Sequence, residues 1–214
     1  MRPGISWRPA EGQPTVTLLL RHGQTPMSVQ KRYAGRSDVT LTDVGVQQAA
    51  AAAKRLASAG LDVIVTSPLL RAVQTAQEVT AVTGAAVVTD DGFRETDFGA
   101  WEGLTFTEVR ERWPAELAAW LADPEAAPPG GESFADVSTR VTAALHRVLA
   151  DREGQRVLVV SHVTPIKTLV AAALLAPSAA LFRMHLDVAA LSEINWYADG
   201  PAVLRSFNDT SHLS

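Results

Sequence analysis

Residues 15–25 read TVTLLLRHGQT. The first six residues are β-branched or leucine, which predicts a buried strand, and Arg21, His22 and Gly23 follow it directly. In a parallel sheet, ligands bind outside the carboxyl ends of the strands. The stretch therefore predicts a strand that delivers a cation and an imidazole to a ligand-binding edge. We expect Gly23 to let the chain turn away closely past the ligand.

Composition limits what this chain can be. Its 214 residues can form one domain with a sizeable core, and 47% hydrophobic with 20% charged residues is typical of a globular protein. The net charge of −4 argues against a nucleic-acid binder, and the absence of cysteine excludes disulfides, thiol catalysis and cysteine metal sites. There is no apolar run long enough for a membrane span and no signal-peptide pattern at the N-terminus. We expect a soluble, cytoplasmic protein that does not bind membranes.

Strands and helices alternate along the chain from residue 15 onwards. The order of elements predicts an α/β fold, a three-layer α/β/α sandwich on a mostly parallel central sheet. The β-rich C-terminal part, including LFRMHL at residues 181–186, predicts an antiparallel edge. Residues 1–14 are rich in proline and glycine and predict a flexible tail or inter-domain linker before a domain at residues 15–214. Residues 104–131 fit the alternation poorly and predict a small helical cap inserted in that domain.

Two further strands end in residues of similar chemistry. The strand at residues 62–67 leads through Ser67 and a proline into a helix that carries Arg71, and the strand at residues 156–161 leads into His162. If the strands are parallel, Arg21, His22, Arg71 and His162 converge on one edge together with two helix N-termini. Arginines and helix N-termini are common ways of holding phosphate, so this edge predicts a phosphate site.

A histidine beside a phosphate suggests phosphoryl transfer. Neutral imidazole can attack phosphorus to form a phosphohistidine, and arginines with a second histidine can offset the charge without a metal. The leaving alkoxide then needs a proton donor, and FRETDFGAWEG offers Glu95, Asp97 and Glu102. Glu95 follows a third short strand closely enough to reach the same edge, so we expect it to be the acid. No cofactor and no metal are expected.

These residues resemble the signature of the histidine phosphatase superfamily, the phosphoglycerate mutase-like proteins. The resemblance runs from residue 16 to 213 through LLLRHGQT, GRSDVTLTDVGVQQA, TSPLLRAVQTA, RETDFGAWEG, PPGGESFADVSTRV, VVSHVTPIK and FNDTSHL. It implies that His22 is the phosphorylated nucleophile. It also implies that Arg21, Arg71 and His162 bind the phosphoryl group, and that Glu95 is the proton donor and later the base.

Several neighbouring residues are expected to take part in substrate binding. They are Gly23, Gln24, Thr25, Ser28, Arg32 and Val163. Two of them depart from the family pattern, which often has asparagine at the position of Ser28 and glycine at that of Val163.

The subfamily and the substrate are separate questions. The pattern looks most like the α-ribazole phosphatase or acid phosphatase domain that, in some bifunctional proteins, follows a ribonuclease H domain. The expected partner is a small phosphate ester. The substrate is either α-ribazole 5′-phosphate, an ester of cobalamin assembly, or, for a broad acid phosphatase, a range of esters. We expect a monomer or homodimer, and a ribonuclease H domain could precede this one in a longer natural chain. The alternatives are a phosphoglycerate-type mutase and a relative that binds phosphorylated ligands without turnover.

Overall fold

A computed structural model describes residues 12–214 of the chain. The sequence predicts a tail or linker at residues 1–14, and residues 1–11 of it lie outside the described part. Residues 15–214 contain all the strands and helices that follow.

The centre of the fold is a six-stranded mixed sheet in the order β3-β2-β4-β1-β5-β6. The first four strands in this order are mutually parallel, while β5 pairs antiparallel with both β1 and β6. The predicted sandwich on a mostly parallel sheet with an antiparallel edge is therefore confirmed. The strands are β1 (Thr15–Arg21), β2 (Val63–Thr66), β3 (Ala86–Thr89), β4 (Arg156–Ser161), β5 (Leu191–Trp196) and β6 (Ala202–Asp209).

Within residues 12–214, seven α-helices accompany the sheet. Helices α2 and α3 pack on one face, and α6 and α7 pack on the other. Helix α6 begins at a capping box, which the Ser133 hydroxyl and the Asp136 carboxylate form. The helices are α1 (Pro26–Val29), α2 (Asp43–Leu56), α3 (Leu70–Thr83), α4 (Phe106–Arg112), α5 (Pro114–Ala122), α6 (Phe134–Leu149) and α7 (Val163–Ala173). None in the described part is long and apolar enough to cross a membrane.

Side-chain alternation in the central strands divides the core into two halves. In β4, Val157 and Val159 pack with α6 and α7, whereas Leu158 and Val160 pack with α2 and α3. Because both faces of the sheet are covered, the central strands carry consecutive apolar residues, at 18–20 in β1 and 157–160 in β4, rather than alternating apolar and polar residues. This burial on both faces fixes the ends of β1 and β4 next to each other.

Two local predictions were wrong. The sequence predicts Ser67 as N-cap and Pro68 as the first residue of α3, but α3 begins at Leu70 and its N-cap is Leu69. The Ser67 hydroxyl instead lies 2.7 Å from Nε2 of His162. Residues 181–186 do not form a strand, because the chain makes a 3₁₀ helix, Ser178–Arg183, that packs near α7.

The segment predicted as a cap contains α4 and α5. Together with residues before and after it, these helices form a third apolar cluster beside the sheet. Trp101 is completely buried in this cluster, and Trp120 is 6% exposed. The rest of the cluster consists of Phe98, Val109, Leu117 and Phe134, with Tyr33, Leu104 and Trp113 against it.

Candidate active site

The three strand ends that the sequence singles out meet at one edge of the sheet. Arg21 is paired with Ser161 at the ends of β1 and β4, and the backbone N–H of Ser67 donates to the carbonyl of Val160. The residues that follow, His22 and His162, have ring centroids 5.1 Å apart. The parallel sheet therefore brings both imidazoles to one place.

His22 is buried, and its ring is oriented by its own loop. Nδ1 lies 2.8 Å from the carbonyl of Gly23, so Nδ1 carries the proton and Nε2 keeps its lone pair. Burial, with the positive charges of Arg71 and Arg21, holds the pKa of His22 well below its ordinary value. The ring is therefore neutral at physiological pH, which is the form that a nucleophile requires.

His162 is completely buried between Arg71 and Ser67. Nε of Arg71 donates to Nδ1 of His162 at 3.2 Å, so Nε2 of this ring carries the proton and donates to the Ser67 hydroxyl. Burial and the charge of Arg71 hold its pKa well below the ordinary value. Without a bound anion, His162 is thus a neutral ring fixed in one tautomer rather than a cation.

Arg71 is held within the loop that follows α1. Its side chain is fully buried, and its terminal nitrogens donate to the carbonyls of Ala34, Gly35 and Ser37 at 2.8 to 2.9 Å. Arg71 does not line the main cavity of the site. Its charge acts on this cavity from behind His162.

Arg21 lines the cavity together with His22. One terminal nitrogen donates to the carbonyl of Leu186 at 2.6 Å, and its buried Nε has no hydrogen-bond partner within the described residues. Burial lowers the pKa of Arg21 to about 10, so the group remains charged at neutral pH. A partly unpaired, buried guanidinium beside a neutral histidine is suited to an incoming phosphate.

Of the three acids in FRETDFGAWEG, only Glu95 lines the cavity. Its carboxylate accepts hydrogen bonds from the backbone N–H groups of Val163 at 3.0 Å, Thr164 at 3.2 Å and Thr96 at 2.9 Å. Two of these donors belong to the first turn of α7, directly after His162. Asp97 instead forms an ion pair with Arg36, and Glu102 binds backbone N–H groups at residues 35 and 37.

Gly23 and Gln24 pack against α2 and do not line the cavity. A Cβ atom at Gly23 would lie 2.4 Å from the carbonyl oxygen of Gly45, and one at Gly45 would lie 2.1 Å from that of Gln24. The N–H of Gln24 donates to Gln48, and its side-chain oxygen accepts from Thr42. The reason for glycine at position 23 is therefore backbone contact with α2, not the approach of a ligand.

We expect both Gly23→Ala and Gly45→Ala to lower the free energy of unfolding by about 2 kcal/mol, because each methyl group would overlap a backbone oxygen. The Gly45 variant is the more informative, since Gly45 lies in the first turn of α2, where helix propensity alone favours alanine over glycine. Urea unfolding followed by tryptophan fluorescence would measure both. A stabilising effect of Gly45→Ala would contradict the contact.

Four of the residues expected to bind substrate line the cavity, and each also has an intramolecular partner. They are Thr25, Ser28, Arg32 and Val163. The Ser28 hydroxyl accepts from the N–H of Thr25 and donates to its carbonyl, which closes the short helix α1. Arg32 donates to the carbonyl of Gly103 at 2.8 Å and forms an ion pair with Glu108 at 2.9 Å. Arg32 therefore also joins the loop after α1 to helix α4.

Sequence reasoning missed the remaining lining residues of this cavity, which has a volume of about 300 Å³. Lys167 lies one helical turn after Val163 on α7, a spacing that could have indicated it. The other side consists of aromatic and aliphatic side chains brought together from separate parts of the chain, among them the cap, the start of α6 and the 3₁₀ helix at residues 178–183. They are Tyr33, Phe98, Trp120, Phe134, Leu181 and Phe182.

The two buried histidines predict that the protein loses stability in acid. Both native pKa values lie below that of an unfolded-chain histidine, about 6.5, so the unfolded state binds more protons as the pH falls. The free energy of unfolding should fall by roughly 1 kcal/mol per ring between about pH 7.5 and pH 5.5. It should level off below the native pKa values.

Urea unfolding at several pH values across this range would measure the slope of the free energy of unfolding against pH. The variant His22→Asn should make it shallower, while His146→Asn, at an exposed position on α6, should leave it unchanged. A slope that is flat in the native sequence, or equal in all three proteins, would contradict the assignment of two neutral buried rings.

Comparison with known proteins agrees with this geometry. The family model described as histidine phosphatase superfamily (branch 1) matches residues 17–210. The chain belongs to this superfamily. The predicted resemblance is thereby confirmed.

Three relatives show the range of names in the superfamily. The bifunctional protein Rv2228c of Mycobacterium tuberculosis is 51% identical over 208 residues, which make up 97% of this chain and 57% of that protein. The chain therefore spans little more than half of that relative's length. Phosphoserine phosphatase 1 of Hydrogenobacter thermophilus is 33% identical, covering 92% of this chain and 93% of the relative. A candidate phosphoglycerate mutase of Proteus mirabilis is 35% identical, covering 92% and 94%.

Solved structures of the superfamily have the same fold. The mycobacterial glucosyl-3-phosphoglycerate phosphatase Rv2419c in complex with VO3 superimposes with a TM-score of 0.82 at 33% identity, covering 92% of this chain and all of that one. A candidate α-ribazole-5′-phosphate phosphatase of Escherichia coli gives a TM-score of 0.84 at 28% identity, covering 92% and 97%.

The two departures from the superfamily pattern have local explanations. The Ser28 hydroxyl is already used in the capping box with Thr25. It therefore offers a phosphate fewer free hydrogen-bond donors than a side-chain amide would. Val163 contributes its backbone N–H to Glu95, a bond that does not depend on the side chain. Neither departure removes a group from the arrangement of His22, Arg21 and Glu95.

Proposed function

We propose that the protein is a metal-independent phosphomonoesterase that works through a phosphohistidine at His22. The observation that carries this proposal is the hydrogen bond from Nδ1 of His22 to the Gly23 carbonyl, in a ring whose pKa is held low. This bond leaves Nε2 unprotonated in a cavity that also contains the Arg21 guanidinium and the Glu95 carboxyl group. A nucleophile, a cation and an acid thus share one site.

The proposed reaction has two steps. Nε2 of His22 attacks phosphorus while the bond to the ester oxygen breaks, and protonated Glu95 gives its proton to the departing alkoxide. Glu95, now a carboxylate, takes a proton from water, whose oxygen attacks phosphorus and breaks the P–N bond. Inorganic phosphate leaves, and both side chains return to their starting states.

The cations of the site stabilise the charge on the transferred group. Arg21 lies at the cavity surface, and Arg71 adds its field from behind His162. In phosphoryl transfer, positioning and neutralisation of charge provide most of the rate enhancement, so this set needs no further electrophile. His162 does not line the cavity, and its two ring nitrogens are engaged by Arg71 and Ser67, so its proposed part is to hold Arg71 in place behind the site.

For the substrate, we propose α-ribazole 5′-phosphate. The support is the aromatic side of the cavity, where Phe182 packs edge-on to Trp120 and Phe134 with centroids 5.9 and 5.5 Å apart. A planar benzimidazole could pack against such a wall while its phosphate reaches Arg21. The Escherichia coli structural neighbour named above adds support from similarity.

A phosphoglycerate-type mutase is the second candidate, favoured by the Proteus mirabilis relative. A mutase must return the phosphoryl group to a substrate hydroxyl rather than to water. Phosphoglycerates are small and carry a carboxylate, which gains little from an aromatic wall. The cavity lining thus favours the phosphatase.

The test is phosphate release from α-ribazole 5′-phosphate, 3-phosphoglycerate and p-nitrophenyl phosphate in the presence of EDTA. We expect turnover of the first and third, with preference for the first, and no conversion of 3-phosphoglycerate to 2-phosphoglycerate. Phe182→Ala should raise KM for the α-ribazole ester about tenfold, since base–aromatic stacking contributes about 1–3 kcal/mol. Phe106→Ala, on α4 and equally exposed, is the matched control.

The outcomes distinguish the phosphatase from the mutase and from a phospho-ligand-binding protein. Turnover only without EDTA would contradict the metal-free mechanism, and 2-phosphoglycerate formation would favour the mutase. Binding of all three esters without turnover would favour a phospho-ligand-binding protein. Equal rates on all esters, unaffected by Phe182→Ala, would contradict the α-ribazole assignment alone and leave a phosphatase of broad range.

We also propose that the natural chain carries a second domain of ribonuclease H type. The support is the subfamily resemblance, together with the length and the name of the bifunctional mycobacterial relative. The mass of the gene product in cells of the source organism would test this. A product of 22.8 kDa, the mass of the present chain, would contradict it.

A further inference from the structure

The segment that carries Glu95 is anchored through its backbone. Four consecutive carbonyls, at residues 92–95, accept hydrogen bonds from side chains of other elements. Those of Gly92, Arg94 and Glu95 accept from Arg140 on α6 at 3.0, 2.8 and 2.9 Å. The carbonyl of Phe93 accepts from the buried Ser161 hydroxyl at 2.7 Å. The path of this segment is therefore fixed residue by residue.

Arg140 uses its whole guanidinium for this purpose. Besides the three carbonyl contacts, Nε and Nη2 each donate to the Glu132 carboxylate at 2.9 Å, so all five N–H groups are engaged. Glu132 neutralises the charge of Arg140, and its second oxygen also accepts from the N–H of Asp97 at 2.9 Å. The pair thus holds the backbone on both sides of Glu95.

Close packing leaves this segment little freedom. A Cβ atom at Gly92 would lie 2.5 Å from Cβ of Ala144 on α6, and Phe93 is completely buried in the core. The Glu95 side chain, for its part, is bound to the first turn of α7. Displacement of the backbone at residues 92–95 would therefore move the carboxyl group relative to His22.

We propose that Arg140 is a positioning residue for the Glu95 carboxyl group, acting through the carbonyls of residues 92–95. The proposal rests on the proposed function, because it assumes that Glu95 protonates the leaving group. Arg140 does not line the cavity and cannot touch the substrate there. Arg140 is expected to act on kcat/KM at the phosphorylation step, where Glu95 protonates the leaving group, and this selectivity separates it from a general role in stability.

The dependence of rate on the leaving group tests the proposal. An ester of an acidic phenol, p-nitrophenyl phosphate, can expel its leaving group without a proton, whereas β-glycerophosphate cannot. General acid catalysis typically contributes 10²–10⁴-fold, so Arg140→Met should lower kcat/KM for β-glycerophosphate by about 100-fold and for p-nitrophenyl phosphate by less than about threefold. Arg140→Lys keeps the charge but lacks the planar fork, and should show the same pattern to a smaller degree.

Two further variants complete the design. Arg147→Met is the matched control, since Arg147 lies on the same helix and forms a two-pronged ion pair with Asp90 but donates to no carbonyl of residues 92–95. It should change neither rate by more than about twofold. Adding Arg140→Met to Glu95→Gln should cause no further selective loss, because both changes remove the same interaction.

The outcomes separate this inference from the function on which it rests. If the unaltered protein hydrolyses both esters, but Arg140→Met and Arg140→Lys lower kcat/KM equally for the two esters, the positioning role is wrong. The proposed phosphatase function would still stand. Additive losses in the double variant would also overturn it. If the unaltered protein hydrolyses neither ester, the proposed function fails and the inference fails with it.

Discussion

Replacing His22 by alanine should abolish phosphatase activity, lowering kcat for p-nitrophenyl phosphate by at least about 10⁴-fold. The imidazole is the group that forms the covalent bond to phosphorus in the proposed reaction, and water would have to attack in its place. The remaining cations still bind the ester, so KM should change little. Steady-state kinetics at matched protein concentrations would measure both values.

The control for this variant is a histidine outside the site. His146→Ala, on the exposed side of α6, should retain full activity. The His22 variant should also stay folded, because its neighbours Arg71 and His162 are fixed by their own hydrogen bonds. More than about one-hundredth of the native activity in a folded His22→Ala protein would rule out covalent catalysis at this residue.

Replacing Arg71 by methionine should lower both stability and activity. The change leaves three loop carbonyls and Nδ1 of His162 without their donor in a fully buried position. Each unsatisfied buried group costs about 1–3 kcal/mol, so we expect a loss of about 3 kcal/mol or more in the free energy of unfolding. Urea unfolding would measure this loss.

The effect of Arg71→Met on activity has a separate cause. The transferred phosphoryl group would lose the field of a buried cation, and the loop at residues 34–37 would lose its anchor. We expect kcat/KM to fall by about 10²-fold or more. Arg71→Lys should recover part of the activity but little of the stability, because one ammonium cannot reach all four acceptors. Native stability of Arg71→Met would contradict the network.

The sequence was sufficient to predict the plan of the fold and the location of the site. Consecutive apolar residues at 18–20 and 157–160 are typical of strands covered on both faces, and parallel strands place their carboxyl ends together. His22, His162 and Arg21 could thus be assigned to one edge from the position of each at the end of a strand. The antiparallel edge was predicted correctly in β5 and β6.

What could not be predicted depends on contacts between distant residues. Residues 181–186 have the apolar content of a strand, yet residues 181–183 end a 3₁₀ helix, where the carbonyl of Leu181 accepts a hydrogen bond from Lys167. The sequence suggests that Gly23 permits a turn, but glycine is needed there because a side chain would overlap the backbone of Gly45 on α2. Local patterns do not show which distant backbone approaches such a residue.

Some side chains of the site could be predicted from the sequence, and others could not. Arg140 lies in an ordinary amphipathic helix, and nothing near it in sequence indicates that it binds the carbonyls around Glu95. The aromatic lining comes from five separate segments of the chain, so no single motif carries it. Roles that depend on charge at a strand end are visible in sequence, whereas roles that depend on packing of separate segments are not.

The most direct test of the central claim is to trap the covalent intermediate. Glu95→Gln should still be phosphorylated by p-nitrophenyl phosphate, whose leaving group needs no proton, but should lose the base that activates water. Rapid-quench experiments should then show a burst of one p-nitrophenolate per site, and mass spectrometry should locate an acid-labile phosphoryl group on His22. Steady turnover without a burst, or a phosphoryl group on any other residue, would contradict the account.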